Sequence, residues 1–299
     1  MAAAAPNRKW ITIRKQLPNY LFVLPHFLFF LVFLAYPVFF GFYISFHSWP
    51  IISVEKPFVA LENYQYLFTD DIFLKAVKNT FTFAIITVSQ QVVIGLLLAL
   101  LVNQDFPLRT WVRVILFSPV VISVATMGII WQWLMNLDWG YLNYILSFLH
   151  VQKINWLGDP ALVLPSLSWA TIWWGVGFTM IIYLAGLQNI PDHYYEAGKL
   201  DGANEVQLFR HITLPLLMPT TLFVLVTSFI GHMQAFGQVY LMTLGGPDYH
   251  SETIIMYLYD QGFRYFRMGY AAAMAFSLAL IILIVTLVQF RLLGRRVEY

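Results

Sequence analysis

The chain has 299 residues, 60% of them hydrophobic and 11% charged, with a formal net charge of +2 and no cysteine. Soluble globular domains carry about 25% charged residues, so this chain has too little polar surface to cover a water-soluble body. Without cysteine there are no disulfides, no thiolate metal sites and no thiol catalysis, and the redox compartment stays open.

Long charge-free runs of membrane length define the class as an all-α polytopic membrane protein. Residues 1–19 are basic (Arg8, Lys9, Arg14, Lys15) and contain Pro6 and Pro18. The following apolar run, Leu21 to Phe46, is too long for a signal-peptide core, and no small-residue cleavage site follows it. It reads as the first span, with Pro25 and Pro37 as candidate kinks. Residues 47–78 form a polar, aromatic-rich loop. The second span runs from Phe81 to Val102, and a short turn, NQDFPLR, follows. The third, Val114 to Met135, is interrupted by Pro119 and Gly128. Residues 136–160 contain an amphipathic piece, Tyr141 to His150, too short to span and expected in the membrane interface. The fourth span is Val163 to Leu187. The fifth, Leu214 to Leu241, is broken by Gly231 and Gly237. Gly245-Gly246-Pro247 turns the chain into a second loop, 248–268. The sixth span, Tyr270 to Phe290, leads to Arg291, Arg295 and Arg296.

This divides the chain into an N-terminal segment 1–19, a six-helix transmembrane domain 20–293 and a tail 294–299. Six spans put both termini on one side. That side holds eleven Lys and Arg against six on the other, so the positive-inside rule makes both termini cytoplasmic, together with the loop after the fourth span.

That loop, 191–213, breaks the hydrophobicity yet is built like helices. Pro191 suits a helix's first turn, and Asp192 and Glu196 place negative charge near the positive end of the helix dipole. Gly202 falls where a left-handed residue would end this helix. Asn204 can cap a second helix, with Gln207 at the capping-box position. Pro215 and Pro219 open the next apolar run.

Catalytic motifs are absent: the sequence has no P-loop, no HExxH, no GxSxG and no dinucleotide glycine pattern. The acids fall outside the spans, and His26 and His232 are the only ionisable candidates within them. This argues against ion-coupled transport, which keeps an ionisable group in mid-membrane. Polar residues inside spans face a cavity or the bundle interior. In the fifth span these are Ser228, His232, Gln234 and Gln238. In the fourth they are Thr171, Trp173, Trp174 and Thr179, with Gly175 and Gly177 leaving room between them. Gln132 is a weaker candidate. The opposing reading is that the aromatics face lipid and the hydroxyls bond their own helix. His232 carries the strongest case, because an imidazole facing lipid is costly.

Glu196-Ala197-Gly198, then Gly202, then nine residues and Ile212-Thr213-Leu214-Pro215, resembles the EAA loop of ABC-importer permeases. One departure is Gly198 where the family pattern has a second Ala. FVALENYQYLF (58–68), Asn79-Thr80, LDWGYLNYIL (137–146), WLGDPALVLPSL (156–167), YLAGLQNIP (183–191) and TLGGP (243–247) are similar to the carbohydrate-importing, maltose-type branch. The resemblance implies a type I ABC-importer permease fold. It implies an ATPase-coupling helix centred on Tyr195, Glu196, Ala197, Gly198 and Gly202, with Lys199 and Asp201 at its rim and Ile212 and Pro215 closing the motif. It further implies a sugar path through Thr171, Trp174, Gly175, Phe178, Ser228 and His232, with Gln234 nearby. The expected partners are a second, homologous permease, an ATPase dimer holding ATP and magnesium, and an external solute-binding protein. No cofactor is expected on this chain, no nucleic acid as partner, and no hydrolysis by the chain itself.

Three other readings stay open. One is a glycerol-3-phosphate or polyol importer of the same branch. Another is a stand-alone channel or secondary carrier, in which the loop would have no role. The last is an intramembrane enzyme, for which no cluster of acids or metal ligands is present.

Overall fold

The computed structural model describes residues 20–294. The segment 1–19 and the tail beyond 294, with Arg295 and Arg296, lie outside the described residues.

The described residues are helical, with two isolated β-bridges and no strand among them. α1 is Tyr20–Ile44. A π-helical turn, Leu31–Ala35, interrupts it just before Pro37. Proline lacks the N–H and crowds the carbonyl four residues back, and the wider turn absorbs both. Pro25 sits within an unbroken stretch. No residue of α1 is buried, so this helix lies on the outside of the bundle.

The short α2 (Glu62–Leu67) precedes α3, Asp71–Asn103. α3 begins ten residues before the expected second span, because Asp70 caps it. The Asp70 Oδ1 accepts from Ile72 N at 3.0 Å and Phe73 N at 3.2 Å, satisfying two of the free amides at a helix start. Its Oδ2 accepts from Tyr257 Oη at 2.7 Å and Tyr270 Oη at 2.6 Å.

The expected third span is two helices, α4 (Arg109–Val121) and α5 (Val124–Leu134), set 98° apart. The break falls at Ile122–Ser123, just after the 3₁₀ turn carrying Pro119. Ser123 caps α5 by accepting from Thr126 N at 3.2 Å. Gly128 does not interrupt α5; a Cβ there would lie 3.0 Å from Leu241 Cβ, so its smallness serves packing. α6 (Tyr141–Phe148) is the amphipathic piece, and its hairpin is held by buried Asn143. α7 (Val163–Gln188) matches the expected fourth span.

α8 (Asp192–Leu200) and α9 (Glu205–Leu216) form the two-helix loop. Pro191 is the N-cap of α8 rather than a residue of its first turn. α10 (Met218–Met233) leaves α9 at 61°. The chain breaks at 234–236 and resumes as α11 (Gly237–Met242), so Gly231 lies inside a continuous helix. α12 (Ile254–Tyr259) leads to α13 (Met268–Leu293).

α1, α3, α7 and α13 are each long and apolar enough to cross a membrane, and the α4–α5 and α9–α10 pairs would make six if each is one span. The most extensive helix pair is α3 on α7. Lipid offers little hydrophobic drive for such contacts, so close approach through small residues matters more. Gly95 admits the Thr179 side chain, where a Cβ would lie 2.6 Å from its Cγ2. Gly177 gives α7 room against the Leu116 carbonyl of α4. The room that Gly177 was expected to leave between the polar residues of the fourth span is thus taken up by the α4 backbone.

Candidate functional site

A cavity of about 260 Å³ opens between α3, α4, α7 and α10. Thr171, Trp174, Gly175 and Phe178 reach it from α7, and Ser228 and His232 from α10. These are six of the seven residues expected on the path. The seventh, Gln234, caps the end of α10, is exposed and does not line the cavity. The cause is the helix break at 234–236, which turns the chain away from the register that Ser228 and His232 share. Of the other candidates, Thr179 lines the cavity. Trp173 points away and packs edge-on to Trp131 with ring centres 5.7 Å apart. Gln238 is buried in α11, and Gln132 lines a different cavity of about 420 Å³. His26 is exposed on α1.

The cavity wall is aromatic and aliphatic, with a few polar groups at fixed places. Trp174 forms part of it, and its indole N–H donates to the Ile122 carbonyl at 2.9 Å. That carbonyl is freed by the break between α4 and α5, so the same side chain lines the cavity and satisfies the bend. Thr171 donates to its own helix at Leu167 O, 2.8 Å away, as the opposing reading had it for hydroxyls inside a span. Among the described residues, the lining holds no Asp, Glu, Lys or Arg.

Sequence reasoning missed Gln91. It comes from α3, lines the cavity, and bonds both Thr179 and His232. The available signal was a pair of amides, Gln90-Gln91, inside an otherwise apolar run.

At the bundle end between α7 and α10, the two-helix loop folds as a clasp. Gly202 adopts φ +80° and ends α8, a conformation that glycine takes at no steric cost. Asn204 and Gln207 make the reciprocal capping box, each accepting from the other's backbone N–H at 3.0 and 2.8 Å. Tyr195 Oη meets Thr213 Oγ1 at 3.0 Å across the clasp. Gly198 faces inward, where a Cβ would lie 2.6 Å from Leu208 Cδ2 and 3.1 Å from Ile212 Cδ1. Glu196, Ala197, Lys199, Asp201 and Pro215 are exposed, while Ile212 is half-buried. Leu200, 89% exposed, and Val206 flank Gly202 with apolar surface that nothing among the described residues covers.

A helical bundle of membrane length, a cavity between its helices lined without Asp, Glu, Lys or Arg, and a capped two-helix loop at one end are features that suit a membrane transport subunit. The comparisons with known proteins give the family. Residues 91–299 match the model of the binding-protein-dependent transport system inner membrane component, and the chain belongs to that family of ABC-importer permeases. It is similar to the probable ABC transporter permease protein YurN of Bacillus subtilis, with 35% identity over 91% of this chain and 94% of that protein. It is similar to the trehalose/maltose transport system permease protein MalF of Thermococcus litoralis, with 33% identity over 90% of each chain. The crystal structure of a bacterial ABC transporter that imports the acidic polysaccharide alginate contains a chain of the same fold. That chain has a TM-score of 0.86 and 26% identity, with coverage of 97% of this chain and 99% of that one.

Proposed function

We propose that this chain forms half of the translocation pathway of an ATP-driven importer for a neutral mono- or oligosaccharide. The observation that carries this reading is the cavity, where Trp174 and Phe178 stand beside the polar groups of Ser228 and His232. A sugar has apolar ring faces and a belt of hydroxyls, and aromatic planes beside hydrogen-bonding groups suit both. A glycerol phosphate would call for a cation that the lining lacks. The uncharged wall also sets this chain's ligand apart from the acidic alginate carried by the structural relative. The name of the similar Thermococcus protein favours a di- or oligosaccharide.

In this reading the chain has six spans, with both termini and the α8–α9 loop in the cytoplasm, and acts by alternating access in the inner membrane of a bacterium. The partner ATPase subunits bind ATP and magnesium, and this chain hydrolyses nothing. Glu196, Ala197 and Gly202 dock in an ATPase groove, in the manner of a helix laid into a hydrophobic cleft. Leu200 and Val206 supply the apolar contact. A second, homologous permease completes the pathway. The external binding protein sits on loops 47–78 and 248–268. Those loops are tied together: Lys75 Nζ donates to Asp248 O at 2.5 Å, and Met268 N to Trp49 O at 3.0 Å.

The test is binding-protein-stimulated ATPase activity of the permease–ATPase complex in lipid, for wild type, Glu196→Ala and Gly202→Asp. Loss of stimulation in variants that still insert is the expected result. A chain that transports alone, without ATP, and ignores both changes would instead be a secondary carrier.

A further inference from the structure

His232 is held from α3. Its Nε2 lies 2.7 Å from Gln91 Oε1, while Gln91 Nε2 donates to Thr179 Oγ1 at 3.0 Å. Gln91 is 6% exposed and Thr179 is buried. Two turns earlier on α3, fully buried Phe83 meets the imidazole edge-on, with ring centres 6.0 Å apart. Residues 83 and 91 are eight apart and so share one helix face. The ring is thus fixed by an aromatic edge and by one amide, and the amide is fixed in turn by a hydroxyl of α7. Gly175 makes room for this arrangement, since a Cβ there would lie 3.0 Å from Gln91 Nε2.

A carbonyl oxygen only accepts, so the ring nitrogen it meets must carry the hydrogen. In a neutral imidazole the other nitrogen is then a bare acceptor. No second hydrogen bond holds the His232 ring among the described residues. We propose that Gln91 is a positioning residue that sets the His232 tautomer, so that Nδ1 is the acceptor offered to a substrate hydroxyl. The inference rests on the cavity being the sugar site. It gives Gln91 a role beyond polar glue between helices. Without it the ring would sample both tautomers, and the other tautomer presents a donor at Nδ1, the wrong partner for a donating hydroxyl.

The experiment uses the permease–ATPase complex in lipid nanodiscs with ¹⁵N-labelled histidine. The His232 ring signals are assigned by difference from His232→Asn. Equilibrium binding of maltose and of trehalose is measured without the binding protein. Wild type is expected to show hydrogen on Nε2 alone. Gln91→Leu is expected to spread it over both nitrogens and to weaken sugar binding about tenfold, the loss of one hydrogen bond's net free energy. Thr179→Val keeps the glutamine but frees its amide; both readouts should move the same way by less. It decides the matter if Gln91→Leu does not assemble. Ring signals unchanged in these variants would overturn the proposal, and so would a redistributed ring with sugar binding intact. Trp174→Ala and Phe178→Ala separate the two readings. If they abolish sugar binding while Gln91→Leu changes nothing, the site stands and the positioning role fails. If sugar binding survives in every variant, the site reading itself has failed.

Discussion

Gly198 and Leu208 approach so closely that a Cβ on residue 198 would lie 2.6 Å from Leu208 Cδ2. The clasp between α8 and α9 depends on that bare position, because Leu208 is buried and has little space to give. Alanine gains about 1 kcal/mol of helix propensity over glycine and must push a methyl group aside. Overpacking costs about 1–3 kcal/mol. Gly198→Ala should therefore cost up to about 2 kcal/mol. Gly198→Leu should splay the clasp and lower binding-protein-stimulated ATPase activity more than tenfold. Leu208→Ala added to Gly198→Leu should restore part of it. Activity and thermal unfolding of the four complexes check this.

Asp70 ties three segments together: its own helix start, α12 through Tyr257, and α13 through Tyr270. Burial, and then the bond to Asp70, push the Tyr257 phenol well above its usual range, so it stays protonated and donates. Hydrogen bonds to a charged group are worth about 1.5–3 kcal/mol each. Tyr257→Phe should cost about that much. Asp70→Ala should cost more, since it strands two phenols and two amides, and Asp70→Asn should fall between. Thermal unfolding in detergent should rank the three in that order.

Trp174 can be divided into its two functions. Trp174→Phe keeps an aromatic plane in the cavity and deletes the N–H that meets Ile122 O. An unsatisfied carbonyl costs about 1–3 kcal/mol, so Tm should drop by several degrees while sugar binding is partly retained. Trp174→Ala should lose both. A Trp174→Phe complex with unchanged Tm would mean that water replaces the indole at the bend.

Glu252 supplies a pH dependence. It is 2% exposed, and its carboxyl occupies the space that a Cβ on Gly245 (φ +83°) would fill. Burial is the main cause that raises its pKa from 4.5 to about 8; nearby Asp260 adds to it and Arg264 opposes it. The folded state therefore holds a proton that the unfolded chain releases near pH 4.5. The resulting stability is complete below that pH and is lost as pH rises through about 8. The Tm of the complex should decline across this window, and Glu252→Gln should flatten the decline.

The legible parts of the fold were those written in local signals. α7 could be read almost to the residue from one apolar run, and the α8–α9 loop from Gly202 and the Asn204–Gln207 box. Six cavity residues followed from the motif resemblance. The rest depended on distant partners. Gln91 meets His232 across 141 positions of sequence, and nothing near residue 91 distinguishes it from the adjacent Gln90. The bend at Ile122–Ser123 has only Pro119 to announce it, because the Trp174 indole that completes it comes from another helix. Gly177 reads in the sequence as room between the polar residues of the fourth span and Gly128 as a break in the third; both are seats for a neighbouring chain segment. Gln234 looked like one more polar residue of the fifth span until the backbone break took it out of register.

The Trp174–Ile122 bond has a consequence for how this lineage can change diet. One wall of the cavity is a structural strut, and the other aromatic, Phe178, carries no such duty. On the proposed reading of the cavity, a descendant adapting to a new sugar can exchange Phe178 without touching the bend, but exchanging Trp174 obliges it to repair the bend at the same time. Variation among close descendants should therefore accumulate at 178 long before it reaches 174.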